Sequence, residues 1–170
     1  MRSFRCGKTT VTRLINKLAP SYYSGELKGE ILIDGVDSSK TSLYELSKKI
    51  GSVFQNPRSQ FFSVDSTSEI AFGCENTGVP RDEMYRRIGQ VADSLNIEHL
   101  LDCNLFALSG GEKQKIACAS VAAMQPEIFI LDEPSSNLDL RTIFDLKEVI
   151  RKWKEQGKTV IIAEHRLYYL

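Results

Sequence analysis

The spacing of apolar positions changes several times along the chain, and each change predicts a different element. Leu14, Ile15 and Leu18 recur at helical spacing, which predicts a helix from about residue 8 to 18. Pro20 and the Ser/Tyr/Gly cluster after it end that helix. The run GEILIDG (29–35) is apolar and β-branched and closes on Asp-Gly, which predicts one strand of a hairpin or meander. Residues 42–48 read as a short helix and 50–54 as a strand. Pro57, Ser59, Ser63, Ser66 and Ser68 predict a loop. Pro80 then opens a charged amphipathic helix to about residue 95, with Ile88, Val91, Ala92 and Leu95 on one face. Few strand signals fall between 56 and 107, so this stretch reads as a helical insertion. A further helix runs from Ser109 to about Met124. Strands return at 127–131 and 159–163, separated by a helix from about 142 to 156 that Gly157 closes. Strand, helix, strand with apolar strands predicts an α/β protein with a parallel sheet.

Composition narrows the class. A chain of 170 residues suits one domain with room for a small lobe. Its 42% hydrophobic and 26% charged residues are those of a folded globular chain. Twenty-two Lys and Arg balance 22 Asp and Glu, which removes the bulk attraction of a general nucleic-acid binder. The longest apolar runs, 128–131 and 160–163, are far below the roughly 18 residues of a spanning helix. Residues 1–10 are polar and basic, which predicts no secretory signal and at most a peripheral membrane role. Cys6, Cys74, Cys103 and Cys118 show no metal-ligand spacing, so they read as free thiols of a reducing, cytosolic compartment, with Cys118 buried in a helix.

Three segments carry chemistry. Cys6, Gly7, Lys8, Thr9 and Thr10 form the end of a phosphate loop, where backbone amides at a helix N-terminus surround anions. Lys8 would sit on the β and γ phosphates, and the Thr9 hydroxyl would hold Mg²⁺. Arg2 occupies the first glycine position of the full pattern, and Arg5 adds a second bulky side chain. Residues 128–133 are an apolar strand ending in Asp132 and Glu133, placed to hold Mg²⁺ through water and to polarise an attacking water. The plainer alternative is a buried strand ending in a solvated acidic turn. LSGGEKQ (108–114) offers Ser109 as an N-cap and two glycines that expose amides at a helix start. Its plainer alternative is a flexible cap. His99 reads as structural or surface, and the charges of 81–87 as a solvated face.

In this order, VFQNP (53–57), LSGGEKQ (108–114), ILDEPSSNLD (130–139) and AEH (163–165) resemble the Q-loop, signature, Walker B with D-loop, and H-loop of ABC transporter ATP-binding subunits. The resemblance covers essentially the whole chain. Residues 54–62, 69–73 and 163–167 are most similar to the energy-coupling-factor and cobalt-type importers, which take up vitamins and transition-metal ions. It implies a P-loop NTPase fold: a mostly parallel sheet flanked by helices, with a helical subdomain at about 58–108 between Q-loop and signature. It also implies that the family's N-terminal strands and last C-terminal elements are missing from this stretch.

The resemblance further implies roles. Gly7, Lys8, Thr9 and Thr10 match the phosphate loop. Gln55 matches the residue that touches Mg²⁺ or its water and senses the membrane partner. Asp132 matches the Mg²⁺ aspartate, Glu133 the catalytic base, and His165 the switch histidine on the γ-phosphate. Ser109, Gly110 and Gly111 match the signature that caps the nucleotide of an opposite subunit, and Asp139 the D-loop aspartate. The expected cofactors are ATP and Mg²⁺. The expected partners are a second ATPase subunit, in a homo- or heterodimer, and a transmembrane subunit contacting about 55–65, at the cytoplasmic face of the membrane. The alternative reading is a truncated, catalytically impaired paralogue that binds a partner ATPase without hydrolysing ATP.

Overall fold

The structure is a computed structural model, described over residues 7–136 and 138–165. Its helices are α1 (Lys8–Ile15), α2 (Leu18–Ser21), α3 (Leu43–Lys49), α4 (Ser66–Asn76), α5 (Arg81–Leu95), α6 (Gly110–Ala123) and α7 (Leu140–Glu155). Its strands are β1 (Leu32–Ile33), β2 (Val36–Asp37), β3 (Ile50–Val53), β4 (Ile128–Asp132) and β5 (Thr159–Ala163). The last three form a parallel sheet in the order β3-β4-β5, with Ile50 opposite Ile128 and Asp132 opposite Ala163. This is the parallel α/β architecture that the sequence predicts.

Period-two alternation along these strands divides the core into two clusters. Val53, Phe129 and Leu131 face the larger one, shared with α4, α5, α6 and α7. Ile50, Ile128 and Ile130 face the smaller one, with Ile33, Leu46 and Ile15. A strand covered on both faces shows no polar alternation, which is why 128–131 reads as a continuous apolar run.

Three local expectations need correction. The loop expected through Ser66 and Ser68 is instead the start of α4. The Asp65 carboxylate accepts the Ser68 amide at 2.8 Å, and Ile70, Ala71 and Cys74 are buried on the face toward α6. The first helix stops at Ile15 rather than Leu18. Lys17 adopts φ 59°, and its Nζ donates to the carbonyls of Ser38 and Thr41 at 2.9 and 2.6 Å. A tertiary contact thus overrides the helical stripe. Of the 29–35 run, only Leu32 and Ile33 pair, with Asp37 and Val36 across the Asp34-Gly35 turn.

Where α7 crosses the sheet, Trp153 stacks on Phe129 with ring centroids 3.9 Å apart. Both rings are buried in the larger cluster. Phe129→Ala should cost about 3–5 kcal/mol through lost burial and the cavity left behind. Chemical unfolding followed by the emission of Trp153, the sole tryptophan, checks this. A loss below about 1 kcal/mol would show that the stack does not hold α7 to the sheet.

Candidate functional site: a carboxylate cluster at the ends of three parallel strands

The C-terminal ends of parallel strands are where α/β folds place ligands, and here they gather side chains distant in sequence. Gln55 follows β3, where Asn56 accepts the Arg58 amide at 3.1 Å to start a tight turn. Asp132 ends β4 and Glu133 follows it. Glu164 and His165 follow β5. Over these ends lies the N-terminus of α1, preceded by Gly7 at φ 72°, a left-handed conformation that glycine adopts without strain.

Six of the side chains expected at the site fall into two contacting groups, Lys8–His165–Glu133–Gln55 and Thr9–Asp132. The Gln55 amide donates to Glu133 Oε2 at 2.8 Å, and His165 Nε2 lies 3.2 Å from Glu133 Oε1. Glu133 is therefore held on both carboxylate oxygens. Lys8 Nζ lies 2.6 and 3.0 Å from the two ring nitrogens of His165. An ammonium only donates and a carboxylate only accepts, so the imidazole can serve both neighbours only with Nδ1 accepting from Lys8 and Nε2–H donating to Glu133. The Thr9 hydroxyl donates to Asp132 Oδ1 at 3.2 Å. Thr10 is exposed on the first turn of α1, and Cys6 lies outside the described residues.

Ser109, Gly110, Gly111 and Asp139 are not part of this cluster. They line a separate groove of about 850 Å³ between the starts of α6 and α7 and the end of α5. Ser109 and Glu112 form a reciprocal capping box, with the Ser109 amide on Glu112 Oε2 at 2.8 Å. The Asp139 carboxylate caps α7 by accepting the Thr142 amide at 2.8 Å. Within one chain, then, the phosphate-loop side and the signature side face different spaces.

Several residues that support the site went unassigned in the sequence. Glu164, buried beside His165, accepts the Ser135 hydroxyl at 2.6 Å and the His165 amide at 2.7 Å. It ties the turn after β4 to the turn after β5. Glu69, 2% exposed, accepts the amides of Phe62 and Ser63 at 2.8 and 2.9 Å. Lys113, 3% exposed, donates to the carbonyls of Phe106 and Leu108, and its burial pulls its pKa below the usual lysine range. Each is a charged residue inside a quoted motif, but only the fold reveals the backbone atoms it serves.

Residues 6–136 match the ABC transporter family. The chain belongs to that family and carries its ATP-binding domain, a class of ATPases that bind ATP, generally with Mg²⁺. It is 54% identical over 165 residues to a putative ABC transporter ATP-binding protein of Treponema denticola, covering 97% of this chain and 34% of that protein. A putative ABC transporter ATP-binding protein of Pyrococcus horikoshii is 38% identical over 159 residues, covering 94% of this chain and 59% of that one. Among solved structures, cbiO1 from Clostridium perfringens, part of the ABC transporter complex cbiONQ, superposes with a TM-score of 0.83 at 33% identity. That match covers 98% of this chain and 65% of cbiO1. The chain thus spans about a third of the length of the Treponema relative.

Asp132 gives the site a pH signature. Burial raises its carboxyl above the ordinary value of 3.8, with the Glu133 charge adding to that and the Thr9 hydrogen bond opposing it. A carboxyl with a raised folded pKa binds its proton more tightly in the folded chain. Its ionisation therefore destabilises the fold as pH rises through that value, and the loss is recovered as pH falls. Without nucleotide, Asp132→Asn should melt above wild type near neutral pH, with the gap closing as pH falls toward about 4. Thermal melts over a pH series check this, and a variant melting lower at neutral pH would contradict it.

Proposed function

We propose that this chain is the ATP-binding and ATP-hydrolysing unit of an ABC importer of the energy-coupling-factor type, taking up a vitamin or a metal ion. The observation that carries the reading is the placement of Glu133. It sits between Gln55 and His165, beside the Thr9–Asp132 pair and below the N-terminus of α1. In that position Glu133 is the general base for water, His165 orients the water and meets the γ-phosphate, and Lys8 holds the phosphates.

Thr9 and Asp132 offer hard oxygen donors of the kind Mg²⁺ takes alongside phosphates and water, with the Gln55 amide oxygen as a third. Bound there, Mg²⁺ would neutralise charge developing on the phosphates. Gly7 and Thr10 would contribute backbone amides to the same phosphates, and Cys6, outside the described residues, is assigned to them by its place in the motif alone. Ser109, Gly110, Gly111 and Asp139 serve the nucleotide of a facing ATPase subunit, a role supported by their separate, solvent-facing groove.

A transmembrane subunit is the second partner. Phe62 and Phe106, 74% and 78% exposed, lie on segments joined by the antiparallel bridge between Asp65 and Asn104. With Val64, they give the helical stretch 58–108 an apolar surface for that subunit. Among the described residues no helix is long and apolar enough to cross a membrane, which fits a peripheral place on the cytoplasmic face. The importer type is supported by the likeness to cbiO1 and by the segments 54–62 and 69–73.

Calorimetry with Mg-ATP and a phosphate-release assay test the reading together. Lys8→Ala should weaken binding by at least ~10-fold. Glu133→Gln should bind ATP as wild type does while losing hydrolysis by ~10³-fold or more. Undiminished hydrolysis in Glu133→Gln would overturn the assignment of the base. Binding of a partner ATPase by a wild-type chain that hydrolyses nothing would favour the non-catalytic paralogue instead.

A further inference from the structure

Gly111 stands in ordinary helical backbone near the start of α6, so no left-handed conformation demands a glycine there. Glycine in a helix is poorer than alanine, and some other pressure must keep the position bare. The pressure comes from α7. A Cβ built on Gly111 would lie 2.7 Å from Thr142 Oγ1 and 2.9 Å from Thr142 Cγ2. Both distances are below van der Waals contact. Thr142 cannot readily turn aside, because a β-branched side chain in a helix has few rotamers.

Thr142 is tied at its other end to Asp139. Its amide donates to Asp139 Oδ1 at 2.8 Å. That bond, with the Thr142 hydroxyl second, holds the Asp139 carboxyl below the usual carboxylate range. One turn further along both helices, Lys115 on α6 pairs with Asp145 on α7 at 2.7 Å. The two helix starts thus meet at two successive levels.

We propose that Thr142 is a positioning residue whose side chain fills the space left by Gly111 and fixes the signature turn (Ser109–Gly110–Gly111) and Asp139 as one rigid edge. The Cβ side of Gly111 is then kept bare from inside the chain, by Thr142, while its amide is left for the nucleotide of a facing subunit. This rests on the proposed function insofar as that edge serves ATP hydrolysis in a dimer. A merely local packing role would alter stability alone. A positioning role alters turnover while leaving ATP binding at the phosphate loop of the same chain intact.

The test is a suppressor experiment on the full chain. Gly111→Ala should lower kcat by at least ~10-fold, while the Kd of the monomeric chain for Mg-ATP, set at its own phosphate loop and not at Gly111, stays within about threefold. In Gly111→Ala/Thr142→Ala the nearest remaining atom, the Cβ of residue 142, lies 3.4 Å away, an ordinary contact. That double variant should recover most of the lost turnover. Gly111→Ala/Thr142→Val, which keeps the branched shape, should stay as slow as Gly111→Ala. A folded Gly111→Ala/Thr142→Ala variant as slow as Gly111→Ala would overturn the proposal and return the glycine to the nucleotide. If wild type itself hydrolyses no ATP, the proposed function fails separately, and melting temperatures then decide the pair. Recovery in the alanine double variant supports the lock, and additive losses overturn it.

Discussion

The last rung of the β4–β5 ladder sets the geometry of the candidate site. Asp132 pairs with Ala163, and the next amide, that of Glu133, donates to the Ala163 carbonyl at 2.7 Å. Glu133 reaches that bond at φ 47°, a left-handed conformation costing on the order of 1 kcal/mol for a non-glycine residue. The turn sends two adjacent carboxylates to different partners: Asp132 to Thr9 on α1, and Glu133 to Gln55 and His165. A slip of one residue in β4 would exchange the two and move Phe129 and Leu131 out of the larger cluster. Glu164 guards the same rung from the β5 side through Ser135 and the His165 amide. Register, strain and chemistry are therefore one constraint, imposed where the sheet stops.

Two helix starts deal with their unpaired amides in different ways. At α6 the Ser109 hydroxyl takes the Glu112 amide at 3.3 Å, and Glu112 returns the bond to Ser109. The amides of Gly110 and Gly111 have no acceptor within the helix. At α1, Gly7 supplies no side-chain cap at all. The positive end of α1 is thus left to the cluster around it, in which Lys8 already leans on His165 and Thr9 on Asp132. A phosphate arriving there would give the Lys8 ammonium an anionic partner in place of an imidazole and would meet the uncapped amides of α1.

Much of this was legible in the sequence, for identifiable reasons. The strands β3, β4 and β5 were readable because buried parallel strands are short apolar runs. The starts of α3 and α6 were readable because Ser42 and Ser109 are each followed, three residues on, by a glutamate that completes a capping box. Helix α4 was not, because Ser66 and Ser68 look like loop residues until Asp65 is recognised as the cap. The early end of α1 was hidden because Lys17 is held by Ser38 and Thr41, across more than twenty residues of chain. Site residues that lie in motifs could be named from sequence. Glu164, Glu69 and Lys113 could not be assigned work, because each serves backbone atoms that only folding brings near.

Those last two buried residues bear on how the proposed partner surface is joined to the Ser109–Gly111 turn. Glu69 grips the amides of Phe62 and Ser63, and Lys113 grips the carbonyls of Phe106 and Leu108. Between them, Asp65 pairs with Asn104, and the Ser66 hydroxyl bonds the Leu100 carbonyl. The exposed aromatic rings therefore stand on backbone fixed from beneath, although they project from loops. A buried polar group left without its hydrogen-bond partner is costly, and this ties both segments to α4 and α6. Lys113 lies two residues beyond Gly111 on the same helix, and α6 is in turn locked to α7 by Thr142 and by the Lys115–Asp145 pair. Phe106 is thus joined through Lys113 and α6 to the Ser109–Gly111 turn.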